Sequence, residues 1–365
     1  MKIGLLTFHN TINYGGVLQC YALKEVIESI GHKVEIIDYR ARPVEEYKSL
    51  YVSDLLFSRN GILKKLRYLF GSILIYPRKK RAVENFNKFL SSRFEFSKRV
   101  FTIQDIPHYY DFIIFGSDQI WSPELCKGLD PVYWGQFEKA RTRFVTYATS
   151  LGEPSSIDEK QWNLISQYIT VFDNISVREQ SLKNELVNRF GVHVKCCIDP
   201  TLLCDSSIFE HILIRPNIEN YVFLYNVLVD DNAINFAYNL ASQLGCKLVV
   251  GRARPKRFKN DKRYTSIEGI TPEVFLGYIK NARVIVGNSF HVIALSLSLE
   301  KDFYSLNSLK SGRIRSILNQ LDLLERHVSS YDVIDKLNNV DYSIVREKLK
   351  TLRNESFEYL KSSIG

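Results

Sequence analysis

Short apolar runs alternate with helix-length amphipathic stretches along this chain, and the alternation restarts once. Lys2 to Phe8 reads as a strand, Val17 to Ile30 as a helix, and Lys33 to Tyr39, Asp111 to Phe115 and Arg143 to Ala148 as further strands. Short strands at Ile175 to Val177 and Val192 to Ile198 flank a helix at Glu179 to Arg189. After a stretch from Ser206 to Glu219, strands at Tyr221 to Val227, Lys247 to Val250, Arg283 to Val286 and Asp302 to Leu306 alternate with helices at Asp231 to Leu244 and Thr271 to Asn281. This order predicts two doubly wound α/β, Rossmann-like domains with parallel sheets and a ligand cleft between them. At 365 residues the chain also exceeds what one core usually spans. The expected division is 1–205, 206–340 and a closing helix within 341–365 that packs back across the molecule.

The stretch Ile285 to Leu295 carries His291 from an apolar strand through a small polar turn into an apolar helix. An imidazole there sits at the carboxyl edge of a parallel strand and beside a helix N-terminus, where open α/β sheets bind ligands and favour anions. A hydrogen-bonded core or capping histidine fits the same spacing.

Three other loops sit at strand ends. In Phe8 to Gly16, Asn13, Tyr14, Gly15 and Gly16 lead into a helix, and the paired glycines let backbone amides approach a ligand. The spacing matches no standard phosphate loop, and a tight turn explains it equally. In Gly116 to Trp121, Trp121 offers a stacking surface for a sugar, Gln119 an amide, and Asp118 an acceptor for a hydroxyl proton. Asp118 could equally start a helix as its N-cap. In Ser176-Val177-Arg178-Glu179, Arg178 could grip phosphate or carboxylate bidentately, or pair with a neighbouring acid.

Six cysteines show neither a Cys-x-x-Cys pair nor metal-ligand spacing, so no metal and no disulfide framework are expected. No long apolar run and no signal-peptide pattern are present, which leads to an expected cytoplasmic location. The net charge of +9 is concentrated: Leu55 to Val83 holds eight basic residues and no acidic one, leaving +1 for the remainder. Within this basic, aromatic-rich insertion (about residues 50–83), Phe57, Tyr68, Phe70 and Tyr76 interleave with Arg59, Lys64, Lys65, Arg67 and Arg78 to Arg81. The pattern suits peripheral contact at the inner face of a membrane, or a helical excursion with a solvated basic face. No nucleic-acid motif accompanies it, so nucleic acid is not an expected partner.

Taken in order, Asn13-Tyr14-Gly15-Gly16, Gly116-Ser117-Asp118-Gln119-x-Trp121, Tyr147-Ala148-x-Ser150-x-Gly152, Ser176-Val177-Arg178-Glu179, Asp199-Pro200-Thr201 and Ser289-Phe290-His291 resemble the successive motifs of the polysaccharide pyruvyl transferase family. The resemblance runs from about Lys2 to about Arg326. It implies a two-domain fold similar to GT-B glycosyltransferases and transfer of pyruvate from phosphoenolpyruvate onto two hydroxyls of a sugar. The product would be a cyclic ketal in a cell-surface or capsular polysaccharide, with no cofactor beyond the donor. A lipid-linked acceptor, such as a sugar on polyprenyl diphosphate, is expected. By motif, His291 would be the acid-base residue, with Asp118 beside it, and Arg178 an anchor for the anionic donor. Members with an Arg-Leu-His motif carry an arginine where this chain has Ser289, so donor binding must draw on other cations, with Arg252, Arg254 and Arg313 as candidates. Two other readings share the pattern: a GT-B glycosyltransferase using a nucleotide sugar, and a non-catalytic sugar-binding protein.

Overall fold

The computed structural model describes residues 1–43, 62–226, 231–252, 261–306, 312–329 and 338–365, with backbone only for 62–75 and 252. Arg254, the side chain of Arg252, and, of the basic segment 50–83, residues 50–61 and the side chains of 62–75 therefore lie outside the described residues.

Two parallel six-stranded sheets form the frame. The first has the order β2-β1-β3-β4-β5-β6, built from Lys2–Leu6 (β1), Lys33–Ile36 (β2), Phe112–Asp118 (β3), Arg143–Thr149 (β4), Ile175–Val177 (β5) and Val194–Cys196 (β6). The second has the order β12-β11-β10-β7-β8-β9, from Tyr221–Asn226 (β7), Lys247–Arg252 (β8), Thr265–Ile267 (β9), Val284–Gly287 (β10), Phe303–Leu306 (β11) and His327–Val328 (β12). Every residue of β3, β7 and β10 is buried, as expected of strands covered by helices on both faces. The order reverses between β1 and β3 in one sheet and between β7 and β10 in the other. At such switch points the connections leave on opposite sides and open a crevice beyond the strand ends.

Among the described residues the helices of two turns or more are Tyr14–Ser29 (α1), Ile62–Arg93 (α2), Glu159–Tyr168 (α3), Gln180–Phe190 (α4), Asp231–Gln243 (α5), Pro272–Asn281 (α6), Phe290–Ser298 (α7), Gly312–Gln320 (α8) and Tyr342–Ile364 (α9). One apolar cluster runs continuously between the sheets and joins the halves, from Ile3 and Leu18 through Leu202 to Phe275, Leu295 and Leu360. The single turn Pro200–Leu203 is its wedge, packed on α1, α7 and α9. The carboxyl half of α2 contributes Ala82, Phe86, Phe89 and Leu90 to the interior, while Lys80 and Arg81 stay exposed.

Helix α9 ties both halves together. Tyr342 Oη donates to the carbonyls of Lys301 (2.6 Å) and Ser296 (3.3 Å) in the second half. Tyr359 Oη donates to Thr146 O (2.9 Å), and Ser356 Oγ accepts from Ile198 N (3.0 Å), in the first. Among the described residues no helix is long and apolar enough to cross a membrane.

Candidate active site

Helix α1 begins at the switch point of the first sheet. Asn13 caps it, its Oδ1 accepting from Gly15 N at 3.0 Å. An added Cβ on Gly15 would stand 2.2 Å from His291 Nδ1, so only glycine lets the imidazole lie against this turn. His291 belongs to the first turn of α7, at the switch point of the second sheet. It is buried, 7% exposed, and its Nε2 has no hydrogen-bond partner. Ser289, the N-cap of α7, makes no capping hydrogen bond with its side chain.

Asp118 closes β3 in the left-handed region (φ 75°), a conformation costing on the order of 1–2 kcal/mol for a residue with a Cβ. Strain of this kind is retained where a side chain must be aimed. Its Oδ1 accepts from Gln119 N (2.8 Å) and lies 3.8 Å from Arg178 Nη2. The N-cap alternative for Asp118 does not hold: the next helical turn, Pro123–Cys126, is capped by Ser122.

Arg178 leaves the carboxyl end of β5 and is almost wholly enclosed. Nη1 donates to Asp199 Oδ2 at 2.6 Å, Nε faces Glu179 Oε1 at 3.4 Å, and the guanidinium lies 4.6 Å over the Phe290 ring. Its Nη2 has no hydrogen-bond partner. Burial alone would pull its pKa down, but Asp199, Glu179 and Asp118 outweigh that and raise it, so the charge is permanent. The acid-pairing alternative is thus realised, yet one donor remains for a ligand.

Asp199 is the residue that reading the sequence left without a role. It caps the turn Pro200–Leu203, Oδ1 accepting from Thr201 N (3.0 Å) and Oγ1 (2.7 Å). Its Oδ2 accepts from Arg178 and, at 3.3 Å, from Ser117 Oγ, and stands 3.6 Å from His291 Nε2. Burial pushes its pKa up, but His291 and Arg178 prevail and hold it well below the usual carboxylate range. The signal in the sequence was an Asp followed by Pro and Thr, the signature of a cap, with nothing to show what else the carboxylate touches. Glu179 behaves differently: enclosed beside Arg178, its pKa is raised because burial outweighs Arg178 and Arg313.

A cavity of about 170 Å³ opens beside this cluster, and Arg178, Asp199, Phe290, Arg313, Lys183 and Lys195 are among the residues that line it. His291 is not among its lining residues; it stands next to Phe290 and within reach of Asp199, which are. The guanidinium of Arg313, in the first turn of α8, lies 6.0 Å from the centroid of the Phe290 ring. Burial and the like charge of Arg178 lower its pKa, so an anion placed between the two guanidiniums would relieve a repulsion.

Two expectations are corrected here. Trp121 is not a sugar platform: its indole is 1% exposed, stacks on Trp134 at 4.2 Å, and donates through Nε1 to Tyr133 O. Tyr14 is not a ligand contact either, because its ring stacks on Phe275 at 4.1 Å and its hydroxyl donates to Ile270 O across the junction of the halves. Asn13 is exposed, Gln119 and Ser289 are half-buried, and Gly16 lies near Asp118.

A family model described as polysaccharide pyruvyl transferase matches residues 13–309. No curated protein matches the sequence. Among solved structures, the chain is similar to a UDP-GlcNAc 2-epimerase from Methanocaldococcus jannaschii (10% identity, 97% of this chain and 93% of that one, TM-score 0.46). It is also similar to the glycosyltransferase SnogD from Streptomyces nogalater (12% identity, 98% and 95%, TM-score 0.43). At these identities and scores the likenesses say nothing about the reaction.

Proposed function

Because this chain belongs to the polysaccharide pyruvyl transferase family, we propose that it moves pyruvate from phosphoenolpyruvate onto two hydroxyls of one sugar. The observation that carries this reading is the juxtaposition of two buried nitrogens that make no hydrogen bond, Arg178 Nη2 and His291 Nε2, beside a cavity lined by Arg178 and Arg313. The donor is a small dianion-bearing carboxylate, and two guanidiniums that both approach the Phe290 ring match its two charged ends. Arg178 and Arg313 then supply the cations that Ser289 cannot.

In the proposed reaction His291 as imidazolium gives its proton to C3 of phosphoenolpyruvate, and the C2–C3 π pair takes it up. The first sugar hydroxyl attacks the electron-poor C2 while its proton passes to the Asp118 carboxylate. The second hydroxyl then attacks C2, the bond from C2 to the phosphate oxygen breaks, and phosphate leaves with that electron pair. The second hydroxyl proton returns to His291, and Asp118 releases its own to solvent. Nothing is oxidised or reduced. Arginines near C2 hold phosphate and carboxylate still and stabilise the charge as it builds on the leaving group.

The test is product mass analysis with phosphoenolpyruvate and a panel of soluble and polyprenyl-diphosphate-linked sugars. The reading requires a product heavier than the acceptor by pyruvic acid less one water, with one phosphate released per ketal. Untouched phosphoenolpyruvate, or turnover of a nucleotide sugar in its place, would reject it.

A further inference from the structure

Asp199 joins three of the elements that build the site, β3, β5 and α7. Its Oδ2 receives Arg178 Nη1 (2.6 Å) from β5 and Ser117 Oγ (3.3 Å) from β3, and faces His291 Nε2 (3.6 Å) from α7. Its Oδ1 is held by both Thr201 donors, so the carboxylate is fixed at one oxygen and offered at the other. The distance to His291 is ion-pair reach but longer than a hydrogen bond. The other charges of the cluster gather on Arg178: Asp118 on β3 lies 3.8 Å and Glu179 3.4 Å from the guanidinium, and Arg313 on α8 couples to all three, while against the imidazole α1 presents Gly15 of its chargeless first turn. Among the described residues Asp199 is the one carboxylate within 4 Å of the imidazole, and it is buried, 1% exposed.

We infer that Asp199 is the positioning residue of this site, a single carboxylate that orients Arg178 for the donor and supports positive charge on His291 across the junction of the two halves. The inference rests on the pyruvyl-transfer reading for its use, but not for its test. An enclosed carboxylate this close to an imidazole favours the imidazolium, and removing it must shift the ring's titration towards acid. The same loss frees the guanidinium to swing towards Asp118 or Glu179 and lowers its hold on an anion. A plain capping role for Asp199 would do neither.

The experiment is NMR titration of the His291 ring in the full-length protein, wild type against Asp199→Asn, with phosphate binding followed by calorimetry. The expected result is a titration midpoint lower by about one pH unit and phosphate binding weaker by about tenfold. Asp199→Ser is the second variant, since a serine hydroxyl still caps the turn while the charge is gone; it is expected to show the same shift. Thr201→Ala, which weakens the cap and keeps the charge, is expected to leave the midpoint where it was. An unmoved midpoint in either Asp199 variant, or an equal shift in Thr201→Ala, overturns the assignment. These readouts use no turnover, so failure to transfer pyruvate would strike the proposed reaction alone.

Discussion

His291 is the side chain on which the proposed proton transfer depends, and His291→Ala is expected to lower phosphate release in the presence of acceptor by about 10²–10⁴-fold with the fold retained. Near wild-type release from a folded variant would remove it from the reaction. Arg178→Lys keeps the charge but loses the planar fork, so one of its contacts to Asp199, Phe290 or the donor must go. Half-saturation by phosphoenolpyruvate is expected to worsen by an amount worth about 1–3 kcal/mol; an unchanged value would argue for a structural arginine. Gly15→Ala reads the packing directly. Alanine favours helices, so the substitution should help the first turn of α1, yet its Cβ would stand 2.2 Å from His291 Nδ1. A loss of about 1–3 kcal/mol in denaturant stability together with a fall in turnover is expected, and a variant as stable and active as wild type would contradict the contact.

The strands show most directly what the sequence could and could not say. Phe112–Asp118 and Tyr221–Asn226 carry continuous apolar runs, Phe112 to Phe115 and Tyr221 to Tyr225, because both of their faces are covered, and such runs are readable without any partner in view. Thr265–Ile267 and His327–Val328 are short edge strands, mostly half-buried, with no apolar run to announce them. Helix α3 was readable and went unread: Asp158 and Gln161 form a capping box at its start. For the site, strand ends located His291, Arg178 and Asp118, but the approach of residue 199 to residue 291 is made by the tertiary fold alone. Trp121 failed for a related reason, since residue type cannot tell an outward ring from one stacked inside. Trp121→Phe is therefore expected to lower stability by about 1–3 kcal/mol, through the lost hydrogen bond to Tyr133 and poorer stacking, and to leave half-saturation by acceptor unchanged. A rise in that value at constant stability would restore the ring as a sugar contact.

Across the whole molecule the two sheets share one interior, and polar anchors lie around it. One is Asp38, after β2, whose carboxylate receives His9 Nε2 at 2.8 Å and Arg40 at 2.7 Å. Burial would raise its pKa, but the bonds from His9 and Arg40 bring it from 3.8 down to about 2. A depressed carboxylate adds stability that is full above its unfolded value and disappears as pH falls through the folded one; here that is about 2 kcal/mol lost between about pH 4 and pH 2. Asp38→Asn should be less stable than wild type in urea at neutral pH, and the gap should close on acidification; a gap independent of pH would reject the ion-pair account. The berth that Gly15 makes for His291 has a consequence of another kind. The imidazole proposed as proton donor is mounted on one lobe and its socket on the other, so its alignment is a property of their fit and works as a gauge of it. Along a denaturant series, turnover and global structure should therefore fail at the same concentration, because no state in which the lobes have parted can still hold an aligned imidazole.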